Sequence, residues 1–419
     1  MVDVTKVYGR MKYLIFALLL CTFATAPAHA TAEEGKPKVR AITAFVHLDR
    51  SNYEKQIEDT MAVLNAAKAG LAQRGYETQT LRIVTQPFAE LIKGLSDEEA
   101  LSFLRSLDGL SQQRGFSPNV GPAMLHDTDD PAAMHLLAQV LSTLPHLNAS
   151  AIIADEDGIH WKTIQETAKL VRHVADHSPR SQGNFLFAAT AMLKPFGPFY
   201  PSAYHTGAGG QFSLGFEAAN VVQNVFGTTH GDFDAAVAEL TRQLTIHARV
   251  GEEVGNEVAA SSGWVFAGVD PTPAPMGDAS IGDAIEQYTG SKFGANGTMT
   301  AALAITSAVK AVTVKQIGYS GLMLPVMEDR RLARRWAENT YELDSLLAYS
   351  AVCAAGLDTV PLPGDVSEAQ VAKILSDVAA LAWKWHKPLS ARLLPVKGRK
   401  AGDKTDFESP YLFNTRLHH

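Results

Sequence analysis

From Val39 to Val396 this chain alternates strand-like apolar runs with capped helical stretches, and that alternation confines it to an α/β architecture more tightly than any single motif does. Residues 39–47 read as a strand, and residues 51–74 as a helix opened by the capping box Ser51-Asn-Tyr-Glu54 and closed by Gly75. Residues 76–84 return as strand, which makes a right-handed βαβ unit. A second box, Ser96-Asp-Glu-Glu99, falls within a helical stretch over 87–113. Strands are expected at 148–154 and 184–193, helices at 161–176 and 233–260, and a loop rich in glycine, proline and aromatics at 194–210. After a strand ending at Asp270, helices near 281–288 and 300–312 alternate with strands near 322–326 and 359–362. A helix at 367–385, with the box Ser367-Glu-Ala-Gln370, leads to a last strand at 391–396. So many βα repeats predict a large parallel or mixed α/β barrel, with a doubly wound sheet as the alternative.

The first thirty residues stand apart from this pattern. Met11-Lys-Tyr precedes an apolar run over 14–23, and Ala28-His29-Ala30 has the form of a signal-peptidase site, so residues 1–30 are expected to be a signal peptide cleaved after Ala30. The run is too short to span a bilayer comfortably, which leaves no stable membrane anchor after cleavage. Residues 31–38 read as a solvated linker and 39–419 as a single domain. Cleavage removes Lys6, Arg10 and Lys12 against Asp3, a net +2, and takes the formal charge from −7 to −9. That acidic balance argues against nucleic acid or an anionic membrane as a partner. Only Cys353 is left in the exported chain, so no internal disulfide can form and stability must come from a hydrophobic core. A hydrophobic content of 46% in a chain of this length is ample for that core.

Six segments carry residues suited to chemistry. Gly263-Trp-Val-Phe-Ala-Gly-Val-Asp270 delivers a carboxylate into a loop stiffened by Pro271, Pro273 and Pro275, where it could act as acid, base or anchor, or simply cap the loop. The loop 194–210 carries Tyr204 and His205 beside flexible glycines, which suits closure over a ligand with His205 as proton shuttle. Gly294, Asn296, Gly297 and Thr298 form a turn feeding an apolar helix, where free N–H groups favour a phosphate or carboxylate. Arg249 lies in a long helix with Gly251 and Gly255 on one face, a spacing that invites close approach of another backbone or a ligand. Gly318-Tyr-Ser320-Gly321 resembles a nucleophile elbow but has Leu322 where the second glycine belongs. Cys353 sits among small apolar residues, an environment that raises a thiol pKa and favours a structural role over a nucleophilic one. No Walker lysine, dinucleotide-binding glycine pattern or zinc-ligand spacing occurs, so no cofactor or metal is assigned.

These segments together resemble the DUF711 family, also called UPF0210. The resemblance rests on residues 39–43, Gly75-Tyr-Glu-Thr-Gln-Thr-Leu-Arg-Ile-Val84, 198–205, 249–255, Val269-Asp270-Pro-Thr-Pro-Ala-Pro275, 294–303, Ser320-Gly-Leu-Met-Leu-Pro325 and 353–358 with Pro361. It implies a ten-stranded barrel like that of the glycyl radical enzymes, two half-barrels around a central site. The radical chemistry does not carry over, because the C-terminal segment holds no glycyl-radical motif.

The expectation is therefore an exported α/β enzyme acting by acid–base chemistry on a small polar molecule bearing a carboxylate or amide. Asp270, His205 and Cys353 are the catalytic candidates. Tyr204, Arg249, Gly294, Asn296, Gly297, Thr298 and Ser320 are the ligand-binding ones. The alternative is a non-catalytic periplasmic binding protein using the same pocket. The sequence leaves homo-oligomerisation open.

Overall fold

The computed structural model describes residues 35–353 and 355–418, so the expected signal peptide and the first part of the linker lie outside the described residues. The order begins β1 (Lys38–Val46), α1 (Tyr53–Gln73), β2 (Thr78–Val84), α2 (Phe88–Leu91), α3 (Asp97–Arg114), β3 (Ser117–Pro122), α4 (Ala132–Thr143) and β4 (Asn148–Asp155). It continues with β5 (Gly158–Ile159), α5 (Trp161–His177), a 3₁₀ segment (Pro179–Leu186), β6 (Phe187–Ala191), β7 (Gly209–Glu217), α6 (Ala219–Thr229) and α7 (Phe233–Ser262). The last third holds β8 (Val265–Asp270), α8 (Ile281–Thr289), α9 (Thr298–Ala311), α10 (Arg330–Ala337), α11 (Leu343–Ser350), β9 (Ala355–Pro363), α12 (Glu368–Trp385) and β10 (Leu389–Val396).

All ten strands belong to one mixed sheet in the order β8-β7-β1-β2-β3-β4-β6-β10-β9, with the short β5 paired to β4. The five central strands from β1 to β6 run parallel. At each end an antiparallel junction adds a two-stranded parallel pair, β7 with β8 on one side and β10 with β9 on the other. The sheet curls far enough for Arg40 on β1 and Arg392 on β10 both to reach Glu328. The segment 315–326 touches both edges: Val269 N donates to the Lys315 carbonyl at 2.9 Å, and Val326 N to the Asp358 carbonyl at 2.9 Å. These are single bridges, so the ten-stranded sheet curls without a continuous closing ladder.

Strand β2 shows how the sequence separates the two faces. Leu81 and Ile83 join the main core under the helices, while Arg82 and Val84 point the other way, toward the loop after β6. The helices thus cover one face of the sheet with the main apolar core, and the concave face keeps polar groups and two small apolar clusters.

Local rules hold at several boundaries and fail at others. The boxes at Ser96 and Ser367 both form, starting α3 and α12. The box expected at Ser51 does not. Asn52 is the N-cap of α1 without a side-chain bond, and the Ser51 hydroxyl donates instead to Asp49 Oδ1 at 2.8 Å. The stretch expected as one helix over 87–113 is broken into α2 and α3, with Gly94 at φ 80 between them. Residues 322–326 form no strand beyond the bridge at Pro325, since the segment crosses between edges and has no neighbour to pair with along its length. On α7, Gly251 and Gly255 permit a close approach, and what approaches is the rings of Phe216 and Phe266 on β7 and β8.

Candidate functional site

The loop after β6 was expected to lie over a ligand, but it folds into the concave side of the sheet instead. Its Pro198 carbonyl accepts from Thr43 Oγ1 at 2.9 Å and from Arg82 at 3.2 Å, and its Pro201 carbonyl accepts from Asn119 Nδ2 at 2.7 Å. The Tyr200 hydroxyl donates to the Ser117 carbonyl at 3.1 Å. These bonds tie the loop as a plug along the strands, from Ser117 at the start of β3 through Thr43 and Asn119, while His205 meets Val46 at the C-terminal end of β1, the end where ligands of α/β folds usually sit. What remains of the interior is a cavity of about 840 Å³ that extends toward the N-terminal ends of β2, β3 and β4, reaching Thr78, Ser117 and Asn148. Phe199 and Ser202 from the plug line its inner end together with Tyr319 and Met323.

Three arginines and two carboxyl groups line this cavity, and a third carboxylate stands just behind. Arg392 Nε donates to Asp358 Oδ1 at 2.7 Å, and its NH2 reaches Glu328 Oε1. Arg40 lies 3.4 Å from Glu328 Oε2 and 3.6 Å from Glu217 Oε2, and Gln79 Nε2 holds Glu217 from the other side at 2.7 Å. Burial pushes the Glu328 carboxyl above its ordinary range, and Asp358 adds to the rise while Arg392 and Arg40 oppose it. For Arg392 burial works against the charge, but Asp358 and Glu328 outweigh it and the pKa rises.

Arg82 differs from the other two. Its Nε donates to Thr80 Oγ1 at 3.0 Å, and its guanidinium lies 4.7 Å over the Tyr200 ring. Among the described residues no carboxylate lies within 4 Å of it. Burial, then the like charge of Arg40, lowers its pKa to about 9. A guanidinium held in the wall with no carboxylate partner is what an anionic ligand group would complete.

Asp270 is fully buried and serves as a knot between two loops. Its Oδ1 accepts from Thr272 N at 3.0 Å, Thr272 Oγ1 at 2.5 Å and Ser320 N at 3.1 Å, and its Oδ2 from Tyr319 N at 2.8 Å. Burial still raises its pKa to about 6 against these four bonds. The carboxylate does not line the cavity, but both loops it ties together do, through Ala274 and Tyr319. Ser202 and Ser390 line the same cavity as Tyr319.

None of the ten residues singled out from the sequence lines the cavity. Asp270 and Ser320 meet directly, as above. His205 is fully buried, with Nε2 2.9 Å from the Val46 carbonyl and its ring stacked on Phe196, so it anchors the plug as a neutral imidazole, and burial lowers its pKa. The Tyr204 hydroxyl donates to the Leu193 carbonyl at 2.7 Å, closing the base of the same loop. Arg249 is exposed and reaches Thr313 Oγ1 at 3.0 Å. At the glycine turn, Gly294 N donates to Thr298 Oγ1 at 3.1 Å and Gly297 is the N-cap of α9, while Asn296 is exposed. Thr298 is buried, and Cys353 N donates to the Tyr349 carbonyl at 2.8 Å. Cys353 is buried, and burial pushes its thiol up to about 12. The single convergent site expected from the sequence is therefore not formed by these residues.

The cavity residues that the sequence expectation passed over are Arg40, Arg82, Glu328, Asp358 and Arg392. A signal for three of them was present, because an arginine inside an apolar strand, as in Leu81-Arg82-Ile83 or Ala391-Arg392-Leu393, must face a polar interior or a partner.

The chain matches the family described as "Uncharacterised ACR (DUF711)" over residues 31–408. It is 32% identical over 376 residues to a UPF0210 protein of Pyrobaculum arsenaticum, covering 83% of this chain and 80% of that protein. A UPF0210 protein of Methanopyrus kandleri is 29% identical over 393 residues, covering 90% and 84%. One from Listeria monocytogenes is 25% identical over 409 residues, covering 90% and 89%.

Proposed function

The chain belongs to the DUF711 (UPF0210) family, and from that premise we propose that its central cavity binds a small molecule bearing a carboxylate or amide and performs acid–base chemistry on it. The observation that carries this reading is Arg82, a buried guanidinium in the cavity wall with no carboxylate beside it among the described residues. Keeping such a charge desolvated is costly unless a ligand completes it. Proton transfer falls to Glu328, the cavity carboxyl that burial holds above its ordinary range, with Asp358 across Arg392. Asp270 and His205 act as positioning residues, one holding the Tyr319 loop and the other the plug. The apolar run and Ala28-His29-Ala30 support export as the setting of this activity.

Retention without turnover is the second reading, favoured by the absence of Asp270, His205 and Cys353 from the cavity wall. A thermal-shift screen of small carboxylic acids and their amides, with product detection on every hit, separates the two. Stabilising hits that are converted support the enzyme, and stabilising hits recovered unchanged support the binding protein. A screen in which no acid or amide raises the melting temperature would overturn both.

A further inference from the structure

The charges of the cavity wall are paired unequally, and the inequality selects a class of ligand. Two of the arginines share three carboxylates, Arg40 pairing with Glu217 and Glu328 and Arg392 with Glu328 and Asp358. Among the described residues Arg82 is the one buried cation of the wall with no carboxylate within 4 Å, its contacts being the Thr80 hydroxyl, the Pro198 carbonyl and the Tyr200 ring, whereas Lys68, which also lines the cavity, is exposed to solvent. A second ligand carboxylate set against Arg40 or Arg392 would have to displace Glu328 or Asp358 and leave a protein charge buried and unpaired, which is strongly unfavourable. Apolar groups line the cavity beside these charges: Phe116, Leu144, Phe185 and Tyr411 contribute to the wall, the Tyr411 ring stacks on Phe185 at 6.5 Å, and Phe185 also underlies the Arg392 guanidinium at 4.8 Å. A volume of about 840 Å³ falls in the range of sites for ligands much larger than a two-carbon acid.

We infer that the cavity takes a monocarboxylate with an aromatic or otherwise apolar body, its single carboxylate on Arg82 and its body directed toward Phe185 and Tyr411, and that it discriminates against polycarboxylates. This inference rests on the carboxylate-binding reading above and narrows it. Tyr411 has a second consequence here. It sits at the tip of a C-terminal hairpin whose arms are joined by Thr405 N to the Thr415 carbonyl and Gly402 N to the Leu417 carbonyl, and the tip is held by Gln182 Oε1, which accepts from Ser409 N at 2.9 Å. Tyr411 is thus supplied to the wall by a braced strap and not by the sheet.

The test uses the full chain and isothermal titration at pH 7 with four probes: phenylacetate, phenylacetamide, acetate and succinate. Phenylacetate is expected to bind at least tenfold more tightly than each of the other three. Arg82→Met is expected to weaken phenylacetate by roughly 30-fold or more, the range for removing one member of a buried charge pair. Succinate binding as tightly as phenylacetate, with both lost in Arg82→Met, would overturn the monocarboxylate inference and leave the carboxylate reading standing. Phenylacetamide binding as tightly as phenylacetate would overturn the monocarboxylate inference and leave the carboxylate-or-amide reading standing, whereas phenylacetate binding unchanged in Arg82→Met, or binding of none of the four, would overturn that reading itself. Should Arg82→Met fail to fold by circular dichroism, the rank order of the probes on the unmodified chain decides the inference alone.

Discussion

Asp270 occupies the space that a side chain at position 318 would need. A Cβ built on Gly318 would overlap Oδ2 of Asp270 and lie 3.1 Å from its Cγ, and Gly318 has φ 75. The glycine is what lets the Tyr319 and Ser320 amides reach the carboxylate. Gly318→Ala is therefore expected to destabilise through both left-handed strain, about 1–2 kcal/mol, and overpacking, about 1–3 kcal/mol. Urea unfolding measures the sum, and a variant as stable as the parent would show that the knot is not under this constraint. Because Tyr319 lines the cavity, the same variant is expected to weaken any ligand the cavity takes.

The charge of Asp270 gives a pH signature. Burial raises its pKa in the folded chain to about 6 from an ordinary value of 3.8, despite hydrogen bonds from Thr272, Tyr319 and Ser320. Below 3.8 the carboxyl is protonated in both states and adds no pH dependence. Between 3.8 and 6 the folded chain keeps a proton that the unfolded chain releases, so stability falls as pH rises, and above 6 the full penalty of roughly 3 kcal/mol is present. Asp270→Asn lacks this titration. Its stability relative to the parent is expected to improve between pH 4 and pH 6.5 by a few kcal/mol, whatever constant offset the lost acceptor brings. A difference between the two proteins that is flat over this interval would show that the hydrogen bonds, not burial, set the pKa.

The parts of the fold that local rules govern were legible in the sequence. The helix beginning at Phe233, the boxes at Ser96 and Ser367 and the strand ending at Asp270 all depend on neighbours within a few residues. Strand β3 was not legible, because Ser117-Pro-Asn-Val-Gly-Pro122 carries two prolines and a glycine. It is held as a strand by tertiary bonds from Asn119, including the one to Pro201. The cavity was hidden for a stronger reason. Arg40 and Glu328 meet across 288 residues, and only the curl of the sheet reveals that strand arginines from both of its ends face one another. Loops after strands carry the chemistry of most α/β proteins, which is why Asp270 and His205 stand out in the sequence. In this chain the loop itself fills that end of the interior.

Two glycines four residues apart on α7 separate helix propensity from packing. Alanine is worth about 1 kcal/mol over glycine in a helix interior. At Gly255 a Cβ would fall on the Phe266 ring, 2.5 Å from Cζ and 2.6 Å from Cδ2, whereas at Gly251 it would meet Phe216 at 3.2 Å. Phe266 is buried between α7 and β7 neighbours, including Phe212 at 5.2 Å, and has little room to turn aside. Gly255→Ala is therefore expected to lose about 1–3 kcal/mol as overpacking exceeds the propensity gain. Gly251→Ala is expected to stay within about 0.5 kcal/mol of the parent, the two terms nearly cancelling. Equal behaviour of the two variants would mean that α7 shifts as a body instead of resisting at Phe266.

Arg82 should separate stability from function. Burial, followed by repulsion from Arg40, depresses its pKa to about 9, so the guanidinium is charged at pH 7 in both states but is less favourably placed in the folded one. The sign follows directly: the penalty is fully present below about 9 and is relieved only as pH rises above it. Replacing a buried ion pair by apolar side chains of similar size is commonly neutral or stabilising by about 1–4 kcal/mol, and a buried charge with no carboxylate in contact has less attraction to lose. Here the Pro198 carbonyl keeps its bond from Thr43 Oγ1 when Arg82 is lost, and the Tyr200 ring offers an apolar surface to the new side chain. Arg82→Met is accordingly expected to unfold at the same urea concentration as the parent or a higher one, while losing the stabilisation that carboxylate ligands confer. A structural arginine would give the opposite result, a loss of several kcal/mol without ligand. The parent and variant unfolding curves at pH 7, with and without phenylacetate, decide between the two.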